Sequence, residues 1–522
     1  MPSSSTKRVT RNALALTFRM ILVTLVGLYT SRVILEALGV DDYGIYGVIG
    51  GVVGLAGFLN SSMGGATSRF ITFELGKGNF DNLKSVFSTS LVIHLLLALL
   101  VLVLAETIGL WFVNCKMNFP ADRMFAVNVL YQFTILTMIV NFTQVPYTAA
   151  IIAHEKMSIY AYIEIINVCL KLGMLYIVIL FKTDKLILYA ALVFCVSTSI
   201  ALIYRFYCIR KFPETKVRLK WEKDIMRKMI AFSGFDLYGN MCGAVNYQGL
   251  PLILNIFFGV VANAGCTIAN SVVVAVKNLT SSISQAFKPQ IVKQYAQENI
   301  GEMASLMLKA NQFTLLAFAA VGIPVFFATP QLLNIWLGQT PLYAVDFLRL
   351  VLIATFIEVI MLVNNAGIHA TGNVKYISFI SGTVYLLGPV LSYILYKVSP
   401  FPATLIYYIN IGVMTVIAIL GWVFLKIQIS GFPIRKYSAG ILRILASIGI
   451  AVTLIVLLRV VYPEEDATGS LWKQLYQIVK VTLISLFFLM ACAYLIGFNM
   501  QERIAFTSFC KLKLKAAFNK NS

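Results

Sequence analysis

Long apolar runs joined by short polar connections dominate the chain. Each run holds roughly the 20 mostly apolar residues that a helix needs to cross a bilayer. Such runs lie near 12–35, 43–66, 86–112, 121–146, 157–181 and 186–206, then near 229–258, 260–285, 309–331, 343–368, 376–398 and 403–426. Two more follow near 438–461 and 473–497. They are continuously apolar, whereas a strand of a membrane barrel alternates over roughly ten residues. The pattern predicts an all-α integral membrane protein with about 14 transmembrane helices.

A repeat organises the runs. A shift of 220 positions lays Gly39 to Ser85 on Gly259 to Ser305 without gaps. Gly39 meets Gly259, and Val52, Val53, Leu59, Ser61, Ser62, Ala66, Ile71 and Asn79 meet Val272, Val273, Leu279, Ser281, Ser282, Ala286, Ile291 and Asn299. Both stretches carry a Ser-Ser near the inner end of a run, then a polar inner segment, then another run. Runs one to six and seven to twelve therefore read as two six-helix repeats, with two C-terminal helices outside them. The expected organisation is a six-helix bundle over 1–208, a basic cytoplasmic linker over 209–228, a second six-helix bundle over 229–428, and two extra helices with a basic tail over 429–522. Both repeats start on the same side, so an axis along the membrane normal relates them. In that arrangement substrate binds between the halves and rocking gives alternating access.

Of the 522 residues, 59% are hydrophobic and only 12% charged. Soluble domains carry roughly 25%, so a set of water-soluble domains is excluded. The net charge of +20 would suggest nucleic acid on a soluble chain. Here position decides. With the N-terminus cytoplasmic, 29 of the 42 Lys and Arg fall on the N-tail, inner connections and C-tail, 8 on outer connections and 5 within runs. That bias places both termini in the cytoplasm. The most basic connection, Arg205 to Lys228, and the tail lysines 511, 513, 515 and 520 read as anchors on anionic headgroups, with no nucleic-acid partner.

The N-terminal run is too long for a signal-peptide core and has no small-residue cleavage site after it, so it is expected to stay as the first span. The eight cysteines form no CxxC pair and read as small buried apolar side chains, with no metal or disulfide framework. His94, His154 and His369 have no ligand spacing. No phosphate-binding loop, HExxH or GxSxG is present, so no enzyme, catalytic residue or cofactor is expected. An ATP-driven pump is excluded, leaving a proton or sodium gradient, the membrane potential or downstream removal of substrate as energy source.

A charge at a helix centre costs ~2.5 kcal/mol or more in the membrane and by default faces an interior or wet cavity. Arg19, Arg32, Lys171 and Lys277 lie within runs. Together they suggest a cationic cavity for an anionic substrate, where Arg can grip phosphate in a fork; snorkelling or a structural ion pair is the alternative for each. Glu164, Asp236 and Glu358 are the acidic counterparts. Glu164 and Lys171, seven apart, share a helix face and suggest an ion pair. Glu358 suggests a carrier of a coupling ion or a balance for a cavity cation, and Asp236 sits near the inner end of its run. Gly47, Gly50, Gly51, Gly54 and Gly57 suit close helix approach, and Pro146, Pro251, Pro324 and Pro389 suit kinks.

Three segments carry a resemblance. They are Arg32-Val-Ile-Leu-Glu-Ala-Leu-Gly-Val-Asp-Asp-Tyr-Gly-Ile-Tyr46, Pro146-Tyr-Thr-Ala-Ala-Ile-Ile-Ala-His-Glu-Lys156, and Ala370-Thr-Gly-Asn-Val-Lys375 in the corresponding place of the second half. With the six-six-two arrangement, they resemble the polysaccharide branch of the multidrug/oligosaccharidyl-lipid/polysaccharide (MOP) exporter superfamily, over about residues 10–500. The resemblance implies a flippase of the bacterial inner membrane for O-antigen, capsular or exopolysaccharide biosynthesis. Such a protein carries undecaprenyl-pyrophosphate-linked oligosaccharide from the cytoplasmic to the periplasmic leaflet, with membrane lipids around it and a polysaccharide polymerase as partner. Two other readings stay open. One is an ion-coupled multidrug exporter of the same superfamily, for which Glu358, Tyr238 and Tyr247 would supply an acidic, aromatic site. The other is a membrane-embedded glycosyltransferase or polymerase, which needs a larger outer loop than the short one around Pro463 to Gly469.

Overall fold

The computed structural model describes residues 4–154, 156–181, 183–216, 221–338, 340–371, 375–461, 470–498, 500 and 503. The loop 463–469, Gly372 to Val374 and the C-terminal lysines lie outside the described residues. So do several side chains, among them those of Arg19, Asp236, Ser61, Ser281 and Ser282.

Every regular element among the described residues is helical. In chain order these are α1 (Ser4–Gly54), α2 (Gly57–Lys77), α3 (Phe80–Leu104), α4 (Leu110–Cys115), α5 (Met124–Ala153), α6 (Met157–Leu180), α7 (Lys185–Lys211) and α8 (Lys223–Ala296). Then come α9 (Ile300–Phe327), α10 (Thr329–Leu337), α11 (Ala344–Ala370), α12 (Lys375–Val398), α13 (Leu405–Gln428), α14 (Ile434–Val461) and α15 (Leu471–Cys492). Among the described residues, ten helices are long and apolar enough to cross a membrane, or eleven if one bent pair within 25–75 forms a single span.

Two of the breaks expected between the fourteen runs are not loops, which accounts for part of the difference in count. Gly39 (φ 81°, ψ 173°) lies inside α1 and Gly259 (φ 73°, ψ −169°) inside α8. Both need the positive φ that glycine adopts without steric cost. At 1.5 Å per residue the 74 residues of α8 would span ~110 Å if straight, more than three times a ~30 Å hydrocarbon core. Gly259 is where the helix path turns.

The 220-residue register recurs in the backbone. α2 ends at Gly78 (φ 70°), and 220 residues on Glu298 ends α8 with φ 58°. The Gly78 and Asn79 amides donate to the carbonyls of Leu75 and Glu74; the Glu298 and Asn299 amides donate to those of Tyr295 and Gln294. This is one helix-stop motif used twice, with left-handed backbone closing the last turn. α3 and α9 then start at Phe80 and Ile300, again in register.

The described chain forms two compact units. The first comprises 1–278, 340–351 and 374–417. Within it α5 packs on α2, α3 and α7, and α1 on α6. Ile45, Ile49 and Val53 of α1 share a core with Val127, Leu130 and Ile135 of α5 and Leu186 of α7. Beyond their kinks, α1 and α8 run side by side. A Cβ on Gly44 would lie 2.2 Å from the Val260 carbonyl oxygen, and one on Gly47 2.2 Å from Thr267 Oγ1. Contacts advance in the same direction on both helices, so the segments are parallel. Gly47 and Thr267 are equivalent positions of the repeat, so a local two-fold axis passes between them. Other contacts obey it: Ser31 Oγ reaches Ser271 Oγ at 3.4 Å, and Gly51, the equivalent of Ser271, packs on Leu252, next to the equivalent of Ser31. Gly54 packs on Gln248, while Gly50 and Gly57 face open space.

The second unit comprises 279–339, 352–373 and 418–522. Here α14 and α15 pack on α9, and α15 also on α10. Asn311 of α9 donates to Tyr437 Oη of α14 (2.7 Å), which donates to Asn364 of α11 (2.6 Å). Gln331 and Asn334 of α10 donate to Gln477 and Gln474 of α15 at 3.2 Å each. Interhelical bonds of this kind contribute about 0.6–2 kcal/mol each in an apolar medium. They tie the two final helices into the unit.

Candidate functional site

α6 shows which way its cation points. Tyr162, Ile166, Leu170 and Ile177 are exposed and recur at helical spacing, forming one apolar stripe. Lys171 sits on the opposite side of the helix, among the buried Val168, Leu175 and Val178, yet is itself exposed. Lys171 is thus an exposed cation on the side of α6 that carries buried residues.

The expected pair with Glu164 does not form. Tyr204 Oη donates to Glu164 at 3.4 Å and Asn167 Nδ2 at 3.5 Å, and no acid lies within ion-pair distance of Lys171 among the described residues. Seven residues share a face but stand ~10 Å apart along the axis; only neighbours three or four apart meet.

Arg32 lies on an exposed stripe of α1 with Leu25, Tyr29 and Glu36. Since α1 packs on α6, Arg32 and Lys171 occupy adjacent helices. Lys277 is half-buried on α8. Glu358 is half-buried on α11 in the second unit. The side chains of Arg19 and Asp236 lie outside the described residues.

Three polar centres escaped the sequence reading. Arg123, counted with an outer connection, grips two carboxylates: Nη2 to Asp42 at 2.6 Å and Nη1 to Asp184 at 2.7 Å. Burial works upward on the Asp184 carboxyl, but the Arg123 guanidinium and the amides of Ile187 and Leu186 outweigh it and hold the pKa below its ordinary value. Asp184 also caps α7, and an Asp just before an apolar run was the legible part of that signal. Arg205, grouped with the cytoplasmic basic residues, donates to Thr143 and lies over the Tyr147 ring at 5.9 Å.

The third centre docks the start of the basic linker. Glu214, 3% exposed, pairs with His154, and Phe212 stacks on that imidazole at 4.0 Å. Burial again works upward on Glu214, but the His154 bond, a backbone amide and the charge of His154 together outweigh it and the pKa is lowered. Farther on, the Glu222 amide donates to Thr89 of α3.

Among the described residues no His/Cys/Asp/Glu group could hold a metal ion, and the described cysteines are free thiols.

The fold of the described helices is similar to that of solved membrane transporters. The MatE family model matches residues 15–177. The chain is similar to lipid II flippase MurJ in its inward closed conformation, with TM-score 0.67 and 16% identity, over 92% of this chain and 98% of that one. It is also similar to a multidrug resistance MATE family transporter of the MOP superfamily. The inward-facing form gives TM-score 0.64 and 13% identity over 80% of this chain and 96% of that one. The outward-facing form gives 0.60 and 14% over 82% and 96%. No curated protein sequence matches the chain.

Proposed function

We propose that the chain is a flippase that moves an undecaprenyl-pyrophosphate-linked oligosaccharide from the cytoplasmic to the periplasmic leaflet of a bacterial inner membrane, by alternating access, for O-antigen, capsule or exopolysaccharide synthesis. The observation that carries this reading is coverage. A match over 92% of 522 residues must include part of the region after Gln428, where α14 and α15 lie, whereas 80% need not. The two final helices thus favour the flippase over the drug exporter, and MurJ is by name a flippase of a lipid-linked molecule.

In this proposal α1 and α8 each cross twice, giving fourteen spans, with both termini cytoplasmic as the basic residues argue. The two six-helix bundles rock about the axis near Gly47. Arg19, Arg32, Lys171 and Lys277 hold the pyrophosphate, and Glu358, with Glu164 and Asp236 as charge balance, couples transport to a proton or sodium gradient. A polysaccharide polymerase takes the product.

Lys171→Gln and Lys171→Arg, in a deletion strain, test the reading. Charge-assisted bonds to phosphate contribute about 1.5–3 kcal/mol, so Lys171→Gln should cut surface polysaccharide about tenfold or more at unchanged membrane abundance, and Lys171→Arg should retain most of it. Normal polysaccharide from both Lys171→Gln and Arg19→Gln would overturn the cationic-cavity reading. The drug-exporter reading rests on the matches to multidrug transporters and predicts drug hypersensitivity of the deletion strain with normal polysaccharide.

A further inference from the structure

The second unit holds a cavity of about 390 Å³ between α9, α11 and α14. Phe318 and Phe327 of α9, Ile353 and Phe356 of α11, and Leu445 and Gly449 of α14 are among its walls, and no lining residue is polar. Ile353 is 40% exposed, so the cavity is open on that side. Gly449 leaves room: a Cβ there would meet nothing within 4 Å. Water has no partner in such a space, and within a bilayer the fluid at its mouth is hydrocarbon.

One charged group stands at one end. The Arg459 guanidinium lies over the face of Phe327, 4.8 Å from the ring centroid. Phe327 lines the cavity and ends α9, while Arg459 lies two residues before the end of α14. From Arg459 to Leu445 is fourteen residues, ~21 Å along the helix. That is about half the ~40–45 Å of a bilayer with its headgroups. Arg459 thus stands at headgroup depth when Leu445 stands near the midplane.

We infer that this cavity is a binding site for a resident anionic glycerophospholipid, with one acyl chain between α9, α11 and α14 and its phosphate on Arg459. The charge picks the headgroup: a guanidinium matches phosphate oxygens, and anionic lipid adds long-range attraction. By the orientation argued from the basic residues, the lipid belongs to the outer leaflet. The site lies within one compact unit and does not depend on what the protein transports. A lipid there fills the space between α11 and the penultimate helix, so it also stabilises the unit.

The full-length protein in mild detergent, titrated with phosphatidylglycerol and read by native mass spectrometry, tests the site. Wild type should hold one phosphatidylglycerol more tightly than phosphatidylcholine. Arg459→Ala should weaken phosphatidylglycerol about tenfold, the loss of one charge-assisted contact, and Gly449→Phe, which fills the cavity, should weaken both lipids. A phosphatidylglycerol with a photoactivatable group at its chain end should label the segment 445–452 of wild type. That last measurement needs no variant, so poor folding of Gly449→Phe leaves the proposal testable. Equal binding by wild type and Arg459→Ala, or labelling confined to other helices, would overturn it. So would a polyprenyl phosphate as the co-purified molecule lost on Arg459→Ala.

Discussion

Arg123 and Lys171 are both cations beside apolar helices, and their surroundings give them opposite tasks. Arg123 satisfies two carboxylates at once; removing it leaves Asp42 and Asp184 facing each other. Breaking a buried pair costs about 3–5 kcal/mol and an exposed one under 1. These groups are 16–30% exposed, so Arg123→Gln should cost about 1–3 kcal/mol by thermal unfolding in detergent, with Asp184→Asn in the same chain restoring part of it. The pH dependence that Asp184 contributes has a fixed sign, whereas burial raises the pKa of Asp42 in the same centre and gives its contribution the opposite one. The Asp184 pKa is lowered on folding, so its contribution is fully present above the unfolded carboxyl value of ~3.9 and disappears as pH falls through the lower folded value. Between pH 5 and 8 it stays constant. Lys171 was legible in the sequence because it interrupts an apolar run. Arg123 was not, because its partners lie 81 and 61 residues away and no local spacing displays them.

At the scale of the element, the repeat was legible and the continuity of its helices was not. A glycine between two apolar runs marks a loop or a turn inside an unbroken helix equally well, and only backbone angles separate the two. The register also exposes a local conflict. Gly78 ends its helix in left-handed backbone freely, but its equivalent Glu298 adopts φ 58° with a side chain attached. Left-handed backbone costs an L-residue about 1–2 kcal/mol, and glycine gives some of this back through entropy. Glu298→Gly should therefore raise stability by about 0.5–1 kcal/mol, read as a higher unfolding temperature; a decrease would show that the Glu298 side chain holds the turn. The docked linker start was likewise invisible. Basic residues around it read as headgroup anchors, and only the fold brings His154, just past the end of α5, against Glu214.

At the scale of the whole molecule, the all-helical character read from the hydrophobic runs is what the described residues show, whereas the six-six-two grouping, the count of crossings and the substrate belong to the proposed function. The parallel segments of α1 and α8 meet closely at Gly47 and Thr267, as they do at Gly44 and Val260. Overpacking a tight contact costs about 1–3 kcal/mol, so Gly47→Thr should destabilise the protein by that amount. The reciprocal exchange, Gly47→Thr with Thr267→Gly, keeps the same atoms on the two sides of the axis and should recover most of the loss. Failure of the exchange to improve on the single change would show that the two sides are not interchangeable.

The same contact bears on how a duplicated chain differs from a symmetric dimer of its half. In such a dimer a residue on the two-fold axis can touch only its own copy. Two glycines there would leave a hole, and two threonines would demand twice the room. Fusion of the halves into one polypeptide releases that rule, because the two axial positions can mutate separately. Glycine on one side and threonine on the other is a pairing that no homodimer of a single repeat could have encoded.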